Sequence, residues 1–281
     1  MTDPGTAWAG AAALRPPTDR LLLDTWERAA ELTPAARPLA LLAAACPQYS
    51  WEQLAAAPLG RLAGLLAALR RALVGDAVEA VASCPACNGL VEVGFALSGL
   101  YAPGGPGSVD TTAELTVTAE LTVTAEGHEI RCRPVTTADL LAVRGTADPA
   151  AALLSRCVTA VARVAGPEGD GAGDGAGGGA GGGDPLPAGD LPAGARAAVE
   201  AALAAADPQA EALLGLDCPG CGTHWWEPFD LGAFLWADLE RLALHTLAEV
   251  DTLARAYGWR EADILALGRR RRRRYLDLVT A

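Results

Sequence analysis

Two short cysteine pairs are the residues of this sequence whose type and spacing best suit chemistry. One is Cys84-Pro85-Ala86-Cys87 and the other is Cys218-Pro219-Gly220-Cys221. A tight turn with this spacing directs two sulfur atoms to one place, so two such turns supply four sulfurs. Four cysteine sulfurs are the ligand set of a closed, tetrahedral structural zinc site. The sequence therefore predicts one structural Zn²⁺ per chain, bound by Cys84, Cys87, Cys218 and Cys221.

Thiol-redox chemistry is one alternative for these cysteines. Thioredoxin-like enzymes use a single CxxC pair at the start of a helix within a βαβ unit. Here two pairs occur, each between segments that alternate like strands, which favours zinc. Four cysteine ligands leave no open position for water, so we expect a structural metal and no enzymatic activity.

The histidines do not extend this site into a catalytic one. His128, His224 and His245 are the three in the chain, and none lies at ligand spacing from another. His224 fits either a surface strand position or a hydrogen-bond donor to a thiolate, and His245 fits a solvent-facing helix position. No nucleophile with a neighbouring base stands out in the sequence.

Charge and composition restrict the possible partners and location. The formal net charge of the 281 residues is -12, which argues against general binding to nucleic acid or to anionic membranes. No run approaches the roughly 20 apolar residues of a membrane span, and the first residues do not resemble a secretory signal. Seven cysteines, an odd number, fit metal ligands and buried thiols in a cytoplasmic protein.

Hydrophobic periodicity predicts an α+β fold that is mainly helical. A split four-cysteine zinc ribbon of small antiparallel strands is expected between N-terminal and C-terminal helical segments. The predicted segments are a flexible arm at residues 1–20, a helical subdomain at 21–75, the two ribbon halves at 76–100 and 212–229, and a C-terminal segment at 230–281. In that last segment Asp230 is expected to cap a long helix that ends at Gly258, before short helices and an arginine run.

Residues 101–211 form an insertion between the two ribbon halves. The hexapeptide Ala-Glu-Leu-Thr-Val-Thr occurs twice in tandem at 113–124, and its alternation predicts a β-hairpin arm. Thr136 or Thr137 is expected to cap one helix, Asp148 a second that extends to Val161, and Asp207 a third. A glycine-rich stretch at 166–194 predicts a disordered linker, because it holds too little apolar surface to offset its ordering entropy.

The six consecutive arginines at 269–274 make a nucleic-acid function the second alternative. A zinc-ribbon protein with a basic run could bind nucleic acid or act with transcription. At about 100° per residue, however, six helical arginines point all round the helix axis. With the acidic net charge, this favours contact with an acidic protein or pairing within the chain. Nucleic-acid binding is therefore not expected.

Residues 249–267 and 269–276 resemble a sequence signature of the baseplate or baseplate-hub assembly proteins of contractile phage tails and phage-derived contractile injection systems. Proteins of that family often carry split CxxC pairs, and the stretches at 69–87 and 218–236 are also similar. Arg260 is a departure, since a serine-like cap is usual there. The glycine-rich linker and the duplicated strand are additions that leave the role of the insertion open.

This resemblance implies a function without catalysis. The chain would be an assembly factor or a minor structural component of the baseplate, binding other baseplate or hub proteins. It would work in the cytoplasm or be incorporated in a phage-tail-like particle, with zinc stabilising its fold.

Overall fold

The computed structural model describes residues 14–101, 115, 120–164 and 188–280. Its first four helices are α1 (Asp19–Ala30), α2 (Arg37–Ala45), α3 (Trp51–Ala55) and α4 (Leu59–Leu73). The side chains of Ser50 and Gln53 form a capping box at the start of α3. A 3₁₀ turn at Pro34–Ala36 leads into α2.

The first cysteine pair lies at the tip of an antiparallel hairpin, the first hairpin. Its strands are β1 (Ala77–Ser83) and β2 (Leu90–Ala96), which lie inside the segment predicted at 76–100. Their register pairs Ala77 with Ala96 and Ser83 with Leu90. The short helix α5 (Leu97–Leu100) follows β2, and the carboxylate of Asp76 accepts hydrogen bonds from the amide and the hydroxyl of Ser98.

The insertion contains a three-stranded antiparallel sheet, covered by helices, with the strand order β3-β4-β5. Its elements are β3 (Leu121–Ala125), β4 (His128–Cys132), α6 (Thr137–Ala142), α7 (Pro149–Cys157), β5 (Val158–Arg163) and α8 (Ala193–Ala206). Ile130, Leu154, Val161, Leu191 and Val199 are buried in a core of its own. The insertion also contacts the N-terminal helices, because the Leu59 amide donates to the Val135 carbonyl and the Gly60 amide to the Asp207 carboxylate.

The second cysteine pair lies at the tip of another antiparallel hairpin, the second hairpin, formed by β6 (Leu213–Asp217) and β7 (His224–Pro228). The chain then enters the long helix α9 (Leu231–Tyr257), capped by Asp230 and ended by Gly258 at a positive φ of 67°, as predicted. The last two helices are α10 (Glu261–Ala266) and α11 (Arg269–Thr280). No described helix is both long and apolar enough to cross a membrane.

The main core joins both sides of the insertion. Leu39 and Leu54 from the N-terminal helices pack with Leu235 and Leu239 of α9, and all four are almost fully buried. One buried ion pair fixes this packing, because Arg70 Nε lies 2.7 Å from Asp238 Oδ2. Arg70 also donates through Nη1 to the carbonyls of Gly75 and Ala77, so it ties α4 and α9 to the start of β1.

A second buried charge cluster joins α1 to the C-terminal helices. Asp19 accepts hydrogen bonds from Arg269 and Arg272 of α11, each with a contact of 2.6 Å. Arg272 also contacts Glu249 of α9 at 2.5 Å. Arg269 and Arg272 of the arginine run are therefore paired within the chain, one of the two outcomes expected for the run.

Four sequence predictions about segment bounds are wrong. The flexible arm was expected to extend to residue 20, but α1 begins at Asp19, which is buried. The helix after Asp148 ends at Cys157 because the following residues pair with β4 as β5. No helix follows Asp207, because the next residues form a turn and the Asp207 carboxylate accepts a hydrogen bond from the Gly60 amide. Residues 188–194 hold a 3₁₀ turn and the start of α8 instead of a linker.

Other predictions fall partly on residues outside the described ranges. These include most of the arm, the glycine-rich stretch up to residue 187, and the first copy of the hexapeptide apart from Leu115, which is buried. The second copy contributes most of β3. Thr136 and Asp139 form a capping box at the start of α6, in agreement with the expected cap.

Candidate metal centre

Each cysteine pair lies in the same kind of backbone turn. In the first hairpin, the Cys84 amide donates to the Gly89 carbonyl and the Asn88 amide donates to the Cys84 carbonyl, both at 2.9 Å. In the second hairpin, the Cys218 amide donates to the Thr223 carbonyl and the Gly222 amide donates to the Cys218 carbonyl, again both at 2.9 Å. These bonds bend each tip so that both of its cysteines face the same side.

The residue after each second cysteine takes a left-handed backbone conformation. Gly222 has a φ of 75°, which its missing side chain allows, and Asn88 has a φ of 57° at the equivalent position. Asparagine is among the few other residues that adopt this conformation readily. The two turns are therefore equivalent in shape although their sequences differ.

The two turns bring all four predicted ligands together. The four sulfur atoms lie within 4.8 Å of one another, with Cys84 Sγ 3.7 Å from Cys221 Sγ and Cys87 Sγ 3.6 Å from Cys218 Sγ. These separations far exceed the S–S bond of about 2.05 Å in a disulfide. They are close to the edge of about 3.8 Å that a tetrahedron with Zn–S bonds of about 2.3 Å requires. The sulfur atoms therefore fit a tetrahedral thiolate-bound ion.

The two hairpins reach the site from a fixed base. Val78 of the first hairpin is buried in the main core, and Phe95 contacts Phe229 with ring centroids 5.2 Å apart. Nearer the tips, Cys84, Val91 and Cys218 form a small buried cluster with Trp225 packed against it. The first cysteine of each pair is consequently buried, whereas the second, Cys87 or Cys221, is exposed.

Hydrogen bonds make the electrostatics of the two exposed cysteines different. The hydroxyl of Thr223, 3.2 Å from the sulfur, and the amide of Thr223 lower the pKa of Cys221 to about 6. At Cys87 the Gly89 amide lowers the pKa, but the thiols of Cys218, Cys221 and Cys84 outweigh it and raise the pKa to about 12. The group of four thus already favours one thiolate, the protonation state in which cysteine binds metal.

The other residues considered from sequence lie away from this cluster or only at its edge. His224 is on the surface of β7, with Nδ1 3.0 Å from Asp217 Oδ1. His245 is exposed on α9, 3.2 Å from Glu249. The remaining thiols, Cys46, Cys132 and Cys157, are buried, and burial raises the pKa of Cys46 and of Cys157 to about 11.

Thr223 is the functional residue that sequence reasoning missed. It contacts Cys221 through both its hydroxyl and its amide, whereas its equivalent in the first turn, Gly89, offers only an amide. The signal that could have found it is position, because the residue two after a second CxxC cysteine lies next to that sulfur in both turns. His224, one residue farther on, faces away from the sulfurs towards Asp217.

This arrangement has one clear chemical capacity. Four thiolates complete a tetrahedral coordination sphere, so a metal bound here has no position for a substrate or water. Such an ion would crosslink two hairpins that the insertion separates in sequence. Comparison of the chain with protein-family models, with curated proteins and with solved structures finds no match.

Proposed function

We propose that the protein is a non-enzymatic assembly factor or minor structural component of the baseplate of a contractile tail or injection system. One structural zinc ion, bound by Cys84, Cys87, Cys218 and Cys221 in a split zinc ribbon, stabilises its fold. The observation that carries the assembly role is the resemblance of residues 249–276 to the baseplate assembly family. In the structure these residues form the end of α9, α10 and most of α11, packed around Leu253 and Ile264.

The zinc ribbon rests on the paired turns and on ligand chemistry. Two antiparallel hairpins with equivalent hydrogen bonds at their tips present four sulfurs within 4.8 Å of one another, a spread that supports a tetrahedral site. A tetrahedral four-thiolate site suits zinc or iron–sulfur chemistry, whereas calcium and magnesium prefer oxygen ligands. Zinc is the ion most often held by four cysteines in a purely structural role.

Metal analysis tests the zinc site directly. Protein purified without chelator should contain about one zinc per chain by inductively coupled plasma mass spectrometry, and Cys218→Ser protein should contain none. Iron at the same stoichiometry, with visible absorbance from thiolate-to-iron charge transfer, would show that the site binds iron and not zinc. Metal-free protein with the wild-type stability would contradict the site.

Capture from the native host tests the assembly role. A tagged chain expressed at its natural level should co-purify with baseplate or hub proteins identified by mass spectrometry, with an untagged strain as control. Fractionation would separate the two forms of the proposal. A factor that leaves after assembly stays in the cytoplasmic fraction, whereas a structural component sediments with the particle. Capture without any tail or injection-system protein would contradict the assembly role.

Thiol-redox chemistry is the competing function that a specific observation favours. Cys221 is exposed, and Thr223 lowers the pKa of its thiol to about 6, as in reactive cysteines. Zinc-free protein should then reduce a disulfide substrate catalytically with a dithiol as reductant, and Cys221→Ser should abolish turnover. Stoichiometric reaction without turnover would leave the structural role in place.

A further inference from the structure

The outer face of the last helix carries a concentrated positive charge on an acidic protein. Arg269 and Arg272 pair with Asp19, Arg269 from an exposed position and Arg272 from a buried one. The side chains of Arg270, Arg271, Arg273 and Arg274 are exposed. At about 100° per residue these four lie within an arc of about 160°, so they form one continuous face of α11. The only ion pair recorded within this face is Arg274 with Asp277, which is also exposed, at 3.7 Å.

Aromatic and apolar side chains border this arginine face. Tyr257, Trp259 and Tyr275 form a cluster with ring centroids 4.7 to 5.8 Å apart, and Tyr257 is 39% exposed. Arg271 and Tyr275 are four residues apart and therefore neighbours on the helix surface. Leu278, on the same side one turn beyond Arg274, is 70% exposed. Arginine, tyrosine and tryptophan are the residue types most enriched where proteins bind one another.

We propose that the arginine face of α11 (Arg270, Arg271, Arg273 and Arg274), with Tyr257 and Leu278 at its border, binds a partner protein through a surface of carboxylates around an apolar patch. Guanidinium groups pair well with carboxylates, and the exposed Leu278 gains from burial only against an apolar surface. Nucleic acid fits less well, because phosphates give the exposed Leu278 no apolar contact.

This inference deepens the proposed function by assigning the surface that contacts the assembly partner, and it rests on that function for the identity of the partner. The fourfold variant R270Q/R271Q/R273Q/R274Q removes the charge while keeping good helix formers. The matched control R131Q/R144Q/R163Q/R196Q removes the same charge from four exposed arginines of the insertion. Circular dichroism melting of both variants checks that they fold as the wild type does.

Binding is measured with two labelled probes at low salt, a 20-residue peptide of glutamate, aspartate and leucine, and a 20-base-pair DNA duplex. We expect the wild type and the control to bind the peptide, and the α11 variant to bind it about tenfold more weakly. Added salt should weaken the interaction. Tighter binding of the duplex than of the peptide, no peptide binding, or equal peptide binding by all three proteins would overturn the proposal.

Capture from the host separates this proposal from the assembly role. If wild type and α11 variant capture the same baseplate proteins equally, the assembly role stands and the assigned surface is wrong. If the wild type captures no baseplate protein but the peptide result holds, the surface stands and the assembly role is wrong. Loss of baseplate proteins only from the α11 variant supports both.

Discussion

The cysteine hairpins and the sheet of the insertion are both small antiparallel structures, yet different interactions stabilise them. Strands β3, β4 and β5 bury Ile130 and Val161 against residues of α7 and α8, which gives them an apolar core. Near the tips of the hairpins, the buried cluster holds only Cys84, Val91 and Cys218. In the proposed zinc site, a bound metal would take the place of an apolar core where two segments are too short to form one.

The same two regions differ in how they treat charge. In the insertion, the Asp139 carboxylate is 1% exposed and lies between Arg133 at 2.6 Å and Arg156 at 2.9 Å. Thr136 adds a hydrogen bond from its hydroxyl. All of these partners are supplied by the insertion itself. At the hairpin tips four thiols approach one another, and the hydroxyl of Thr223 and the amides of Thr223 and Gly89 favour thiolates there. The balancing positive charge would come from the proposed zinc ion.

The largest expected effect comes from breaking the metal cluster with Cys218→Ser. Because binding energy of a structural zinc is part of the folding energy, the free energy of unfolding should fall by about 4 kcal/mol or more. Urea denaturation and zinc analysis measure the effect. The control is Cys157→Ser, a buried thiol of the insertion that should keep the full zinc content. An unchanged urea midpoint for the Cys218 variant would contradict a stabilising metal.

Hydrogen exchange would locate that effect. In zinc-free protein, amides of β6 and β7 should lose protection first, since β1 is still held by Arg70 through the carbonyl of Ala77. Amides of β3, β4 and β5 should keep their protection. Equal loss in all three sheets would show that the insertion depends on the metal as much as the hairpins do.

The second effect breaks the insertion instead of the hairpins. Replacing Asp139 by alanine leaves Arg133 partly buried without its carboxylate partner and removes the carboxylate half of the capping box of α6, so we expect a loss of about 3 kcal/mol. Zinc content should not change. Asp148→Ala is the matched control, because it removes only the exposed cap of α7 and should cost about 1 kcal/mol. Zinc loss from the Asp139 variant would mean that the two regions are not independent.

Acid should weaken the insertion through the same carboxylate. Burial raises the pKa of Asp139, but hydrogen bonds from Arg133 and Thr136 lower it by more, to about 2. Since the pKa is lower in the folded state, the stabilisation is complete above the unfolded value of 3.8 and disappears as pH falls through about 2. The difference in unfolding free energy between wild type and Asp139→Asn should shrink by about 2 kcal/mol over that range. A constant difference would contradict a depressed pKa.

The smallest effect concerns Thr223, which distinguishes the two cysteine turns. Thr223→Val removes the hydroxyl from Cys221 and keeps the shape of the side chain, so zinc should bind about tenfold more weakly. Competition with a coloured chelator measures the change. Thr159→Val, on the exposed surface of β5, should leave zinc affinity unaltered. Equal affinities for the Thr223 variant and the wild type would make the hydroxyl irrelevant to the metal.

Sequence reasoning succeeded where the signal is local. Three signals can be seen within a few residues: the turn chemistry of the cysteine pairs, the alternation of their flanking strands, and the helix ends at Asp230 and Gly258. The structure agrees at each of these places. The meeting of the four cysteine sulfurs was predicted from the number of ligands that a structural zinc needs. That constraint does not depend on the sequence between the two pairs.

It failed where a partner lies far along the chain. Asp19 follows an irregular segment, and the arginines that pair with its buried carboxylate, Arg269 and Arg272, lie some 250 residues later. Asp207 looks like a helix cap, but its carboxylate accepts a hydrogen bond from the distant amide of Gly60. Val158 and Val161 fit a helical spacing, and pairing with β4 overrides it. In each case tertiary contacts decide between two locally acceptable structures.

The split cysteine cluster also has a consequence for the order of events during synthesis. The insertion can close its own core soon after Leu203 is made, because its strands and helices are contiguous in the chain. Cys84 and Cys87, in contrast, are complete as a site only after Cys218 and Cys221 are made. At ribosomal rates, synthesis of the residues between the pairs takes on the order of ten seconds. During that interval the nascent chain presents a half-site that can bind only weakly or be oxidised. The arrival of the second pair, together with α9, is therefore the event that commits the chain to its native structure.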